Sequence, residues 1–129
     1  MDTNQSKISD AEWRIMEEVW QDAPLTSAEI IDQLKDTTEW NPKTIHTLIN
    51  RLVSKEVLGV KREGRFKQFY PLVSAEECRK SETTSFLKKI FAGSRQMFIL
   101  NFIKNENLSK KEIEELREVL NQKQEEDNS

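Results

Sequence analysis

One six-residue pattern constrains this chain more than any other feature. An apolar residue, then Ser or Thr, two variable residues, Glu and a second apolar residue occur together four times. They are Ile8-Ser9-Asp10-Ala11-Glu12-Trp13, Leu25-Thr26-Ser27-Ala28-Glu29-Ile30, Val73-Ser74-Ala75-Glu76-Glu77-Cys78 and Leu108-Ser109-Lys110-Lys111-Glu112-Ile113. The hydroxyl accepts from the backbone N–H three residues on, the Glu accepts from the backbone of the Ser or Thr, and the flanking apolar residues close over the turn. Each copy starts a helix. A fifth start uses Asn41 as cap with Pro42 in the first helical position, where a missing N–H costs nothing. A sixth follows Gly93 at Ser94. The expected helices span about 10–21, 27–35, 42–55, 75–92, 95–105 and 110–124. Helical spacing places Trp13, Met16 and Trp20 on the buried stripe of the first, with Val19 at its edge, and Ile30, Ile31 and Leu34 on that of the second.

Between Val57 and Val73 the texture changes. Gly59-Val60-Lys61-Arg62, the turn Glu63-Gly64, and Arg65-Phe66-Lys67-Gln68-Phe69-Tyr70 read as a β-hairpin that Pro71 ends. Phe66, Phe69 and Tyr70 are expected to pack against the helices, with a stacking platform for single-stranded bases as the alternative. The fold class is thus mainly α with a small β-hairpin wing. Residues 1–73 form a winged helix-turn-helix domain, and 74–129 a separate helical dimerisation region. Its polar, acidic end, Gln122 to Ser129, is expected to fray.

Charge is segregated along this order. Residues 1–40 carry three basic and ten acidic groups, 41–67 seven basic and two acidic, and 68–129 ten basic and eleven acidic. A basic block inside a chain of net charge −3 suits local phosphate binding. In the third helix Ile45, Leu48, Ile49 and Leu52 form the buried stripe, and the far side carries Lys43, Thr47, Asn50 and Ser54, flanked by Thr44, His46 and Arg51. Small hydroxyl and amide groups near a helix start can hydrogen-bond base edges in the major groove of double-stranded DNA, and a threonine methyl can meet a thymine methyl. The expected base-reading residues are Lys43, Thr47 and Asn50 of this outer side, together with the flanking Thr44, His46 and Arg51, which the resemblance described below adds. Lys55, with Lys61, Arg62, Arg65 and Lys67 of the hairpin, suits phosphate oxygens.

The C-terminal helices are more apolar than three short helices can bury among themselves. Phe86, Leu87, Ile90, Phe91, Phe98, Leu100, Phe102, Ile103, Ile113, Leu116 and Leu120 are the expected core of a homodimer, and the fifth helix is apolar nearly all round.

Other readings find less support. Cys78 is the only cysteine and His46 the only histidine, so no disulfide, no multi-cysteine metal site and no Cys–His pair in a recognisable motif can be drawn. Cys78, at the fourth position of its helix, reads as packing. The three glycines form no phosphate loop. No enzymatic activity, metal or cofactor is expected, and a pure protein-interaction module leaves the basic block unexplained. Met1 to Gln5 lack a basic and an apolar secretory region, and the longest nearly apolar run, Met97 to Ile103, is far below the ~20 residues of a membrane span. The cytoplasm is the expected compartment.

With these residues on view, the sequence resembles the BlaI/MecI penicillinase-repressor family. The resemblance runs from Ile8-Ser9-Asp10-Ala11-Glu12-Trp13 through Trp40-Asn41-Pro42-Lys43-Thr44-Ile45-His46-Thr47-Leu48-Ile49 and Arg51-Leu52. It continues to Leu100-Asn101-Phe102 and Leu108-Ser109, then Glu112-Ile113-Glu114-Glu115-Leu116. It implies a homodimeric winged-helix repressor of β-lactam resistance genes, acting on dyad operators with TACA and TGTA half-sites. The family's base-reading positions fall on Lys43, Thr44, His46, Thr47 and Arg51, and His46 stands where arginine or glutamine is associated with the family. The resemblance further implies a membrane-bound, penicillin-sensing metalloprotease as partner, and inactivation by cleavage between Asn101 and Phe102. The cysteine cluster of the copper-responsive branch is absent. Control of other genes by a repressor of the same family, or response to a ligand or metal, are the alternatives.

Overall fold

The computed structural model describes residues 7–128; the segment Met1 to Gln5, read above for a secretory signal, and Ser129 lie outside the described residues. The elements run α1 (Asp10–Asp22), β1 (Leu25–Thr26), α2 (Ser27–Leu34), α3 (Pro42–Ser54), β2 (Leu58–Glu63), β3 (Phe66–Pro71), α4 (Ala75–Phe91), α5 (Arg95–Asn105) and α6 (Lys110–Asp127). Every expected helix start is present. Reciprocal Ser/Thr–Glu caps open α1, α2 and α6, and Ser74 and Glu77 exchange the same pair of bonds at α4. Asn41 caps α3 through the Thr44 N–H at 2.9 Å, and Ser94 caps α5 through that of Met97.

The first compact unit runs to Lys80 and the second begins at Ser81. Its limit lies beyond the boundary expected at Val73. Trp20 Nε1 donates to the Val73 carbonyl at 3.0 Å, and Cys78 is buried in the N-terminal core, so the start of α4 belongs with the first unit.

In the first unit α1, α2 and α3 pack together, and the sheet closes against them. The core comprises Ile15, Met16 and Val19 of α1, Ile30 and Leu34 of α2, Ile45, Leu48, Ile49 and Leu52 of α3, and Val57, Leu58 and Phe69. The stripe of α1 is thus displaced from the expected one. Trp13 and Trp20 are only half-buried and meet edge to face, ring centroids 5.3 Å apart. A large amphipathic ring with an N–H to satisfy sits more readily at the rim of a core than at its centre.

The sheet has the order β1-β3-β2, all antiparallel. Its two-residue strand β1 was not legible as a strand, because Leu25 and Thr26 also staple and cap α2 while pairing with Phe69 and Gln68. The hairpin turns at Gly64-Arg65, one residue later than expected, and Gly64 takes a φ of 65° that a side chain would resist. Phe69 is buried, but Phe66 is 59% exposed and Tyr70 36%. The expectation that all three pack against helices holds only for Phe69. Tyr70 instead lies over Gly59, where an added Cβ would come within 2.5 Å of its ring.

In the second unit, the rings of Phe86, Phe91, Phe98 and Phe102 form a chain with centroids 5.4–6.0 Å apart. No described residue after Lys80 is buried. Helix α6 continues to Asp127 where fraying was expected from Gln122. Gln122-Lys123-Gln124-Glu125-Glu126 contains no breaker and only good helix formers. Among the described residues no helix is long and apolar enough to cross a membrane.

Candidate nucleic-acid interface

Helix α3 is held from behind and bare in front. Ile45, Leu48, Ile49 and Leu52 face α1, α2 and β2, while Lys43, His46, Thr47, Asn50, Arg51 and Ser54 are exposed and Thr44 is half-buried. Thr47, Asn50, Arg51, Ser54 and Lys55 line a shallow concavity of about 350 Å³. Five of the six expected base-reading residues, Lys43, His46, Thr47, Asn50 and Arg51, are thus exposed on one buried-backed helix, with Thr44 half-buried at its flank. Thr47 Oγ1 donates to the Lys43 carbonyl at 3.0 Å, which fixes its rotamer and commits its single proton. Its oxygen lone pairs and its methyl are what remain for a base.

Lys55 departs from its expected role. Its ammonium lies 2.6 Å from Glu12 Oε1 and 2.9 Å from the Lys7 carbonyl, turned towards α1. Glu12 is 1% exposed and also accepts from the Ser9 N–H. Burial raises the pKa of this carboxyl; the hydrogen bonds from Lys55 and Ser9 and the charge of Lys55 outweigh it, and the net displacement is downward. No sequence signal pairs residues 43 positions apart, and as the third residue of its helix Glu12 looks like an exposed capping acid. A buried carboxylate needs a cation, so the lysine at the end of α3 serves the fold.

The hairpin carries its cations outward. Lys61, Arg62, Arg65 and Lys67 are all exposed. Arg62 and Lys67 are direct partners across the β2–β3 ladder, an arrangement in which like charges repel. Among the described residues neither joins a salt bridge. A phosphate between them would relieve that repulsion.

The helix with its polar outer side, followed at once by an exposed cationic hairpin, is a winged helix. Residues 8–122 match the family described as penicillinase repressor. The chain belongs to the penicillinase-repressor family. Members are DNA-binding repressors, not enzymes. The chain is 37% identical over 123 residues to the methicillin resistance regulatory protein MecI of Staphylococcus aureus, covering 95% of this chain and all of that one. It is 35% identical over 114 residues to the penicillinase repressor of Bacillus licheniformis, covering 88% and 89% of the two chains. The solution structure of B. licheniformis BlaI in monomeric form with the blaP half-operator superposes with a TM-score of 0.50 at 35% identity. That match spans 55% of this chain and 87% of the other.

The remaining expected site residues lie in the second unit. Phe86, Ile90, Leu100, Phe102, Ile103, Ile113, Leu116 and Leu120 are exposed, while Leu87, Phe91 and Phe98 are half-buried. Asn101 is exposed, and its carbonyl accepts from Asn105 Nδ2 at 2.9 Å.

Proposed function

We propose that this chain is a sequence-specific transcriptional repressor that binds duplex DNA as a homodimer in the cytoplasm. The observation that carries the DNA-binding part is the outer side of α3, where Lys43, His46, Thr47, Asn50 and Arg51 are exposed opposite the buried stripe of Ile45, Leu48, Ile49 and Leu52. A helix so held can enter a major groove without giving up its packing. The exposed cations of the hairpin supply the phosphate contacts that set its register.

Each remaining part has its own support. The names of the relatives, a methicillin resistance regulator and a penicillinase repressor, favour β-lactam resistance genes as the controlled set. The family resemblance favours a dyad operator with TACA and TGTA half-sites, with His46 altering the detail of readout. Homodimerisation is favoured by the second unit, whose apolar side chains stay in water in a single chain: Ile90 is 54% and Leu120 62% exposed.

Release from DNA follows cleavage of the Asn101–Phe102 bond by a membrane-bound sensor metalloprotease, again by family resemblance. The bond lies in the last turn and a half of α5, and its carbonyl is held by Asn105. A protease needs extended backbone, so this end of α5 must unwind first. Cutting there separates α6 from the winged domain. Two linked half-site contacts become independent, which lowers operator affinity by about 10²–10⁴.

The test is titration of the protein on a duplex with the dyad and on a scrambled duplex, at several salt concentrations. A preference of at least ~10³ for the dyad is expected. Equal affinity for the two overturns sequence-specific repression. For release, intact protein recovered from fully induced cells rules out the cleavage.

A further inference from the structure

From Lys61 to Gln68 the hairpin holds one apolar side chain, Phe66. It is 59% exposed, at the first position of β3 after the Gly64-Arg65 turn. Its ladder partner is Glu63, so it ends the paired part of the wing. The core does not need it: Phe69, three residues on, is the aromatic that β3 buries. Lys61, Arg62, Arg65 and Lys67 surround it in sequence and are all exposed, against the single acid Glu63. With α3 in the major groove and the hairpin cations on the phosphates beside it, the apolar surface that faces the hairpin tip is the sugar-lined wall and base edges of the adjoining minor groove.

We infer that Phe66 is an apolar wedge that the wing seats in the minor groove of duplex DNA. The inference rests on the DNA-binding reading above and adds to it a second groove and a second kind of contact. The minor groove is about 6 Å wide, and an inserted ring must widen it and loosen the stack beside it. The wing therefore reads deformability. It favours steps that open easily and disfavours G·C pairs, whose guanine amino group stands in that groove. Glu63, the ladder partner of Phe66, shares its face of the hairpin and is the one acid the wing brings beside the ring.

The test compares the full-length protein with Phe66→Ala, Phe66→Leu and Arg65→Ala on an operator duplex. Because Phe66 is exposed, both Phe66 variants should melt with the wild type. Phe66→Ala is expected to lower affinity roughly tenfold with the salt slope unchanged, and Phe66→Leu to stay within about threefold of wild type. Arg65→Ala should instead lower the slope by about one. Replacing the flanking G·C pairs by inosine·C removes the guanine amino group and leaves the major groove intact. It should strengthen wild-type binding and leave Phe66→Ala indifferent. Unchanged affinity of Phe66→Ala, a changed salt slope, or an equal loss on single-stranded DNA each overturns the wedge, the last in favour of base stacking. If the wild type shows no salt-dependent duplex binding, the DNA-binding reading itself fails, and this outcome is distinct from the other three.

Discussion

The ammonium of Lys55 at the end of α3 reaches the buried carboxylate of Glu12 at the start of α1, 2.6 Å away. One ion pair thus ties the end of α3 to the start of α1. Lys55→Met should cost about 3 kcal/mol by stranding a buried carboxylate, and Glu12→Gln less, because Lys55 is 33% exposed and can turn to water. The folded pKa of Glu12 lies below its ordinary 4.5. Its contribution is therefore complete above that value and lost as pH falls through the folded one. Denaturant melts from pH 7 to pH 3 should show an acid decline that Glu12→Gln flattens. An identical decline in the variant removes the pair from the explanation.

Thr47 is exposed at the centre of the α3 surface with its proton committed to Lys43. Thr47→Ala should reduce the ratio of specific to non-specific affinity by about 1–3 kcal/mol. Thr47→Val, which keeps a methyl, separates methyl contact from acceptance by the oxygen. Competition binding against a scrambled duplex reads both, and an unchanged ratio in Thr47→Ala means the wrong side of α3 has been assigned.

Lys61 and Arg65 should behave differently from Thr47. Removing either should weaken binding to every duplex alike and lower the slope of log affinity against log salt by about one. A sequence-dependent loss would show that the wing cations reach bases.

Much of this was legible in advance, and the failures are instructive. The helix starts could be read because a cap is a local bargain among residues three apart, as at Ser9 and Glu12 or Ser109 and Glu112. The outer side of α3 was equally readable, since one helix's periodicity decides which residues point away. What escaped depends on distant partners. Lys55 has the composition of a phosphate ligand, but Glu12, on another helix, claims it. Phe66 and Phe69 share a side chain and a strand, and only the pairing register tells which one meets the core. Strand β1 was hidden because two residues serve a cap and a ladder at once.

The second unit should be a dimer in solution. Ile99, Leu100 and Phe102 of α5 are 47–50% exposed, and burying such side chains against a second copy removes apolar surface from water. Sedimentation at micromolar concentration should give twice the chain mass, and Leu116→Asp should shift it to monomer. A wild-type monomer under those conditions eliminates the homodimer.

Glu56 follows the last turn of α3 with a left-handed φ of 63°. Glu56→Gly should raise stability by about 0.5–1 kcal/mol, because glycine adopts that conformation without strain. It also removes an acid from the basic block, so affinity for all duplexes should rise. A lower melting temperature would show that the Glu56 side chain contributes something else.

That left-handed residue closes a short joint. Val57 N donates back to the Leu52 carbonyl at 3.0 Å, the Leu72 N–H holds the Val57 carbonyl at 2.8 Å, and β2 begins at Leu58. Only Lys55, Glu56 and Val57 separate α3 from the hairpin. On the DNA-binding reading proposed above, so short a joint sets helix and hairpin like the jaws of a calliper at one opening, and a duplex whose groove spacing does not match must itself bend or twist to fit.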